Sequence, residues 1–312
     1  MNLKDYKENG YVISEKILSH QEVQSIRDQL DIEFTQNKKH GLFLHEFKNE
    51  KLIRSVINLY KNKVLTDIKK KLEESSNMNL TVLPNFAVQK NYHVDLKQFH
   101  GWHRDCGGEM RYKYCNEILA KENYFFSKIG IYLQENTEYG GSIDVIKKSH
   151  KYFSNLENIL KKIKNIPLKL TMIFHKYFNK IYNLIPETFF MTFLNAKRLY
   201  PELGSAVIFS SKIIHRGSPI SKKKLSEINY KQGVYEAETP KSFTKYSIYC
   251  HFGNADGIDS YMYDRLKRKD ELSINELKTW IKQVEFIEKY DFELAAQMKK
   301  VFNPIKEKYL NH

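Results

Sequence analysis

Residues 127–146 read SKIGIYLQENTEYGGSIDVI, and this stretch decides the fold. Its opening, Ser127–Gln134, predicts a strand. Tyr139-Gly140-Gly141 is a turn signal, and Ser142–Ile146 (SIDVI) predicts the next strand. Working outward, Thr81–Tyr92 (TVLPNFAVQKNY) reads as a strand broken by Pro84. Ser205–Phe209 (SAVIF) follows Gly204, and Lys245–Phe252 (KYSIYCHF) alternates and ends at Gly253. Many short strands without regular helices between them favour a sandwich or jelly roll over a βαβ fold. The expected fold is a mainly β core with flanking helices.

The flanks have a different texture. Residues 1–80 read as a helical scaffold. Ser19 and Glu22 form a capping box, followed by Val23, Ile26, Leu30 and Ile32–Phe34 at helical spacing. A second helical pattern covers 52–74 (Leu52, Ile53, Val56, Leu59, then Val64, Leu65, Ile68, Leu72). Residues 254–312 read as C-terminal helices, with a capping box at Ser273 and Glu276 ahead of Leu277, Trp280, Ile281, Val284 and Phe286. Residues 152–200 mix apolar and basic side chains in a long insertion. It reads as a helical lid, with a partner surface or an in-plane membrane helix as alternatives. There is no internal repeat or low-complexity linker, so 1–312 is expected to be one domain with its core at 81–253.

Composition excludes several classes. With 41% hydrophobic and 28% charged residues, the 312-residue chain is globular rather than disordered. No stretch approaches eighteen uncharged apolar residues, so no transmembrane segment is expected. The N-terminus lacks the apolar core of a signal peptide. Three cysteines without a CxxC pair argue against a disulfide framework or a structural zinc, and a reducing cytoplasm is the expected location. The net charge of +14 comes mainly from Lys spread along the chain; it reads as background, and no nucleic-acid partner is expected. A monomer or weak dimer is expected.

The chemistry is concentrated in Phe99-His100-Gly101-Trp102-His103-Arg104-Asp105. On an extended strand, His103 and Asp105 lie on one face. A second histidine comes from Ile213-Ile214-His215-Arg216-Gly217. Two imidazoles and one carboxylate make the facial triad of non-haem Fe(II) oxygenases, leaving positions open for a co-substrate and dioxygen. His93-Val94-Asp95 is a rival His-x-Asp, read as a surface pair. His103 and Asp105 are preferred because they follow Gly-Trp, precede Gly107-Gly108 and are matched by the later His-Arg-Gly. His150 reads as structural and Cys106 as a small buried residue.

Together GWHRD (101–105), IYLQENTEYGGSIDVIKKSHK (131–151), GSAVIFSSKIIHRGSPI (204–220) and KYSIYCHFG (245–253) resemble the phytanoyl-CoA dioxygenase family of Fe(II)/2-oxoglutarate oxygenases, in the family's order. The resemblance implies a double-stranded β-helix (jelly-roll, cupin-like) core, with Fe(II) held by His103, Asp105 and His215. It also implies a basic residue for the far carboxylate of 2-oxoglutarate, usually Arg at the start of the strand after the distal His. Here that position is Lys245, thirty residues after His215. Lysine binds as a point charge, and Ser247 can add a hydroxyl on the same strand face. Arg216 and Lys128 are rival anchors, although Arg216 should point away from the metal as the strand neighbour of a ligand. Gln89 and Tyr132 are expected to face co-substrate or substrate.

The activity implied is oxidation of an unactivated C–H bond of a small anionic biosynthetic metabolite, using Fe(II), 2-oxoglutarate and O2. Hydroxylation is the default outcome, with ring closure or desaturation as variants. The presence of Asp105 disfavours a halogenase, which needs that position free for halide. Two other classes compete: a basic membrane- or nucleic-acid-binding protein with a vestigial metal site, and a zinc hydrolase using the same three ligands.

Overall fold

The structure, a computed structural model, describes residues 3–37, 39, 41–84, 87–90, 103–105, 125–137, 142–151, 191–192, 194–218, 244–259 and 271–310. Among the described residues the strands are β1 (Tyr11–Lys16), β2 (Gly41–Phe43), β3 (Thr81–Leu83), β4 (Ala87–Lys90), β5 (Phe126–Tyr132), β6 (Ile143–Ile146), β7 (Ala196–Arg198), β8 (Ser205–Ser210), β9 (His215–Gly217) and β10 (Tyr246–Gly253). The helices are α1 (Leu3–Asn9), α2 (His20–Asn37), α3 (Glu50–Leu59), α4 (Lys63–Ser76), α5 (Glu271–Glu288) and α6 (Phe292–Leu310). None of the helices among the described residues is long and apolar enough to cross a membrane.

The strands form two antiparallel sheets. The large one runs β1-β8-β5-β10-β4-β2, with β3 also paired to β10; the small one runs β7-β6-β9. The chain alternates between them. It leaves the large sheet after β4, and His103 pairs beside β9 of the small sheet. It returns for β5, crosses for β6 and β7, returns for β8, crosses for β9 and ends in β10.

The two-residue period of a strand sorts the side chains of the large sheet. Ala206 and Ile208 of β8 belong to the cluster that also contains Leu30, Leu52, Trp280 and Phe302 of the helices, as do Ile129 and Ile131 of β5 and Tyr246, Ile248, Cys250 and Phe252 of β10. The alternate residues Val207, Phe209 and Tyr132 join Ile143 and Val145 of the small sheet in a second cluster. One face of the large sheet therefore packs on helices and the other on the small sheet.

The N-terminal stretch read as a helical scaffold differs from that expectation. It supplies β1 and β2, which extend the large sheet at its two edges. The alternation in Tyr11–Lys16 is too short to stand out locally; its partner is β8, with Tyr11 opposite Phe209. The Ser19–Glu22 capping box is present, with the Ser19 N–H donating to Glu22 Oε2 at 2.7 Å and the Glu22 N–H to Ser19 Oγ at 3.3 Å. The apolar pattern over 52–74 is two helices, because Asn62 accepts from the Val64 N–H at 2.9 Å and starts α4 anew. Ser273 does not begin its helix, since α5 starts at Glu271. The inserted stretch 152–200 ends in β7; residues 152–190, which carry the lid reading, lie outside the described residues.

Gly204 ties the edge strand to the sheet. Its φ is +77°, and a Cβ there would collide with the Leu18 carbonyl oxygen. Its carbonyl accepts from Ile17 at 2.9 Å, and its N–H donates to Tyr132 at 3.1 Å. Gly204→Ala is expected to destabilise the protein by about 1–3 kcal/mol through the left-handed backbone and the clash. A chemical-denaturation midpoint equal to wild type would contradict this.

Candidate metal centre

The centre is built by one backbone pairing. The His103 N–H donates to the His215 carbonyl and the His215 N–H to the His103 carbonyl, both at 3.0 Å. Residues directly opposite in such a pair share a face, and Asp105 follows two residues on. The imidazoles of His103 and His215 come within 4.4 Å between ring centroids. Asp105 Oδ1 lies 3.6 Å from His103 Nε2, and Asp105 Oδ2 lies 3.6 Å from His215 Nε2. One ligand atom from each residue falls within 4.8 Å of the others, a spacing that suits a metal ion.

The protonation states suit a metal as well. His215 Nδ1 is 3.1 Å from the Ile213 carbonyl, which can only accept, so Nδ1 carries the hydrogen and Nε2 keeps its lone pair. Burial pushes His215 down to about 3, against the pull of Asp105, so this imidazole is neutral at physiological pH. Burial acts to raise the Asp105 carboxyl, but Lys128 and the two histidines outweigh it and hold it well below the usual carboxylate range. The donor set is therefore imidazole nitrogen with an ionised carboxylate, which fits a ferrous ion.

Arg104, to which sequence reasoning assigned no role, lies between two of the ligands and is buried. Its Nη1 donates to the Ser149 carbonyl at 2.6 Å and also reaches the Lys212 carbonyl. Ser149 Oγ in turn accepts from the Ile214 N–H at 2.8 Å. One guanidinium thus braces the His103–Asp105 segment against the segment that carries His215. The signal for it was its position inside His-x-Asp, where the side chain must face away from the ligands. His150 takes a structural part, with Nε2 3.1 Å from the Lys7 carbonyl.

The expected co-substrate residues separate into groups. Lys128 lies at the centre itself, with Nζ 3.1 Å from Asp105 Oδ2 and 5.6 Å from the Tyr249 ring centroid. Arg216 faces away from the ligands and holds Asp144, with Nε at 2.9 Å and Nη2 at 2.7 Å from Oδ2. Arg198 holds the same carboxylate from the other side, at 2.7 and 3.1 Å. Lys245 is buried and donates to the Ser218 carbonyl at 3.3 Å. Burial holds its ammonium down to about 7, with Arg198 pushing the same way and Asp144 opposing. Ser247 pairs in register with both Gln89 and Tyr132. Lys128 pairs with His251, four residues of β5, about 13 Å of strand, from the Tyr132–Ser247 pair. Gly130 lies midway, and its lack of a side chain accommodates Tyr132 and Tyr249, either of which a Cβ would approach to 3.0 Å. His93, Asp95, Trp102 and Cys106 lie outside the described residues.

No family model and no curated protein matches the chain. Among solved structures it is similar to AviO1 from Streptomyces viridochromogenes, at 10% identity and a TM-score of 0.43, over 81% of this chain and 93% of that one. It is also similar to EctD from S. alaskensis with 2-oxoglutarate and 5-hydroxyectoine, at 11% identity and 0.45, over 81% and 75%. A third is the non-heme alpha ketoglutarate dependent carbocyclase SnoK from nogalamycin biosynthesis, at 12% and 0.43, over 81% and 83%.

Arg104→Ala is expected to weaken Mn(II) binding by about 10–100-fold, the effect typical of residues that orient metal ligands. Calorimetric titration of the variant checks this, and wild-type affinity would remove Arg104 from the centre. His93→Ala should bind Mn(II) as wild type does; loss of binding there would identify the other His-x-Asp as the ligand pair.

Proposed function

We propose that this chain is an Fe(II)- and 2-oxoglutarate-dependent oxygenase of the phytanoyl-CoA dioxygenase type, with a single jelly-roll domain. The observation that carries the reading is the convergence of two imidazoles, one of them neutral by burial, and one ionised carboxylate from three sequence positions onto one point. The alternation of the chain between two antiparallel sheets supports the jelly roll.

His103, Asp105 and His215 would hold the iron. Together with 2-oxoglutarate it supplies dioxygen-dependent oxidation of an unactivated C–H bond, by default hydroxylation, with ring closure or desaturation as variants. Lys245 would bind the far carboxylate of 2-oxoglutarate as a buried point charge. Ser247 follows Lys245 by two residues on the same strand and pairs with Tyr132 and Gln89, and these three would line the co-substrate. The inner cluster, with Val207, Phe209, Ile143 and Val145, excludes water from this space. Arg216 is spent on Asp144, which supports Lys245 over Arg216 as the anchor. The substrate proposed is a small anionic biosynthetic metabolite, and the protein a cytoplasmic monomer or weak dimer.

The deciding experiment is an anaerobic titration with Fe(II) and then 2-oxoglutarate, read by the visible charge-transfer band of a chelated 2-oxo acid. The band should form in wild type and be absent in His215→Ala. Metal binding without a band would favour the hydrolase reading, and no metal binding the vestigial site.

The anchor has its own pH signature. A carboxylate needs Lys245 protonated, so 2-oxoglutarate affinity should be level below about pH 7 and fall by up to about tenfold per unit above it. Lys245→Arg should abolish the slope, because guanidinium stays charged. A slope that persists in that variant would move the anchor elsewhere.

A further inference from the structure

We infer that Lys128 sets the electrostatic balance of the metal centre and makes binding of the metal and of an anionic chelate mutually dependent. This rests on the proposed metal centre. Lys128 is held in the middle of the large sheet, paired with Phe209 of β8 and His251 of β10. Its side chain is partly buried, and its ammonium reaches the candidate ligands. It shares Asp105 Oδ2 with His215: Nζ is 3.1 Å from that oxygen and His215 Nε2 is 3.6 Å from it. The Tyr249 ring, 5.6 Å away, offers a second favourable surface for the cation.

The charge count follows from the contacts. Asp105 brings a carboxylate, Lys128 an ammonium 3.1 Å from its Oδ2, and a metal takes His103 and His215 through uncharged imidazole nitrogens. The carboxylate that a divalent ion needs is thus already matched by a cation before any metal arrives. Adding the ion leaves the group with an excess of two positive charges, in a place where burial weakens dielectric screening. A chelate that brings one carboxylate to the metal removes one of them, and oxalate, with two carboxylates at the metal, removes both. Without Lys128 the same centre would be negative before loading and carry one positive charge after it. Lys128 therefore opposes a bare metal and favours a metal accompanied by an anion. A lysine is suited to this, because it is a flexible point charge and not a planar fork that saturates the carboxylate.

The test is calorimetric titration of the full chain with Mn(II) alone, with saturating 2-oxoglutarate and with saturating oxalate. In wild type the affinity for Mn(II) should rise with 2-oxoglutarate and more with oxalate. Lys128→Met should bind Mn(II) alone at least about tenfold more tightly than wild type, and the enhancement by oxalate should shrink by a similar factor. Lys128→Gln should behave likewise and supplies the measurement if the Met variant does not fold. Lys128→Arg, which keeps the charge, should retain the wild-type pattern. If both neutral variants bind Mn(II) alone as wild type does or more weakly, Lys128 merely orients Asp105 and the inference is overturned. If His215→Ala binds Mn(II) as wild type does, the metal centre itself fails, a separate outcome because that control leaves Lys128 in place.

Discussion

The reciprocal backbone hydrogen bonds between His103 and His215, at 3.0 Å each, are the constraint on which the centre depends. They fix two imidazoles on one face of the small sheet, and the strand period puts Asp105 with them. The strand β6 supports this pairing from the other side, with Val145 opposite His215. The large sheet closes the space over it, because Val207 and Phe209 point inward while Ala206 and Ile208 anchor the same strand to the helices. Ligand geometry is thus a consequence of sheet geometry, and Arg104 locks the two by bridging the Ser149 and Lys212 carbonyls.

Two buried carboxylates show how similar chemistry is put to different ends. Asp144 is flanked in register by Arg198 and Arg216 and also accepts from Ser218 Oγ at 2.8 Å. Arginine forks and a hydroxyl occupy its lone pairs, so it acts as a structural clamp between the strands of the small sheet. Asp105 meets one lysine and two imidazoles instead. A point charge neutralises it without occupying every lone pair, and a carboxylate left in that condition can still coordinate. The difference between the clamped acid and the one left able to coordinate lies in the cations that face them.

Much of this was legible in the residues. The period-two strands were predicted within a residue or two of their ends, and Pro84 does separate β3 from β4. The His-x-Asp and the later His-Arg-Gly named the three residues that converge. What escaped reading was short or remote. β1 and β2 gain their stability from partners far along the chain, so their own six and three residues carry little periodic signal. Lys128 was readable as a basic residue opening a strand and a rival anchor for the co-substrate, because nothing local says that its ammonium meets Asp105.

Strand-forming residues and the identities of histidine and aspartate are local properties, so the amino-acid sequence by itself determined a mainly β core and the two histidines and one carboxylate of the candidate centre. Pairing partners and charge neighbours are set by contacts between distant segments. Tertiary structure alone therefore decided that the N-terminal segment completes the sheet, that Arg216 serves Asp144, that Arg104 braces the two segments of the candidate centre, and that Lys128 faces Asp105. The physical reason is that burial removes solvent screening, so each buried charge takes its role from the charges that the fold brings beside it.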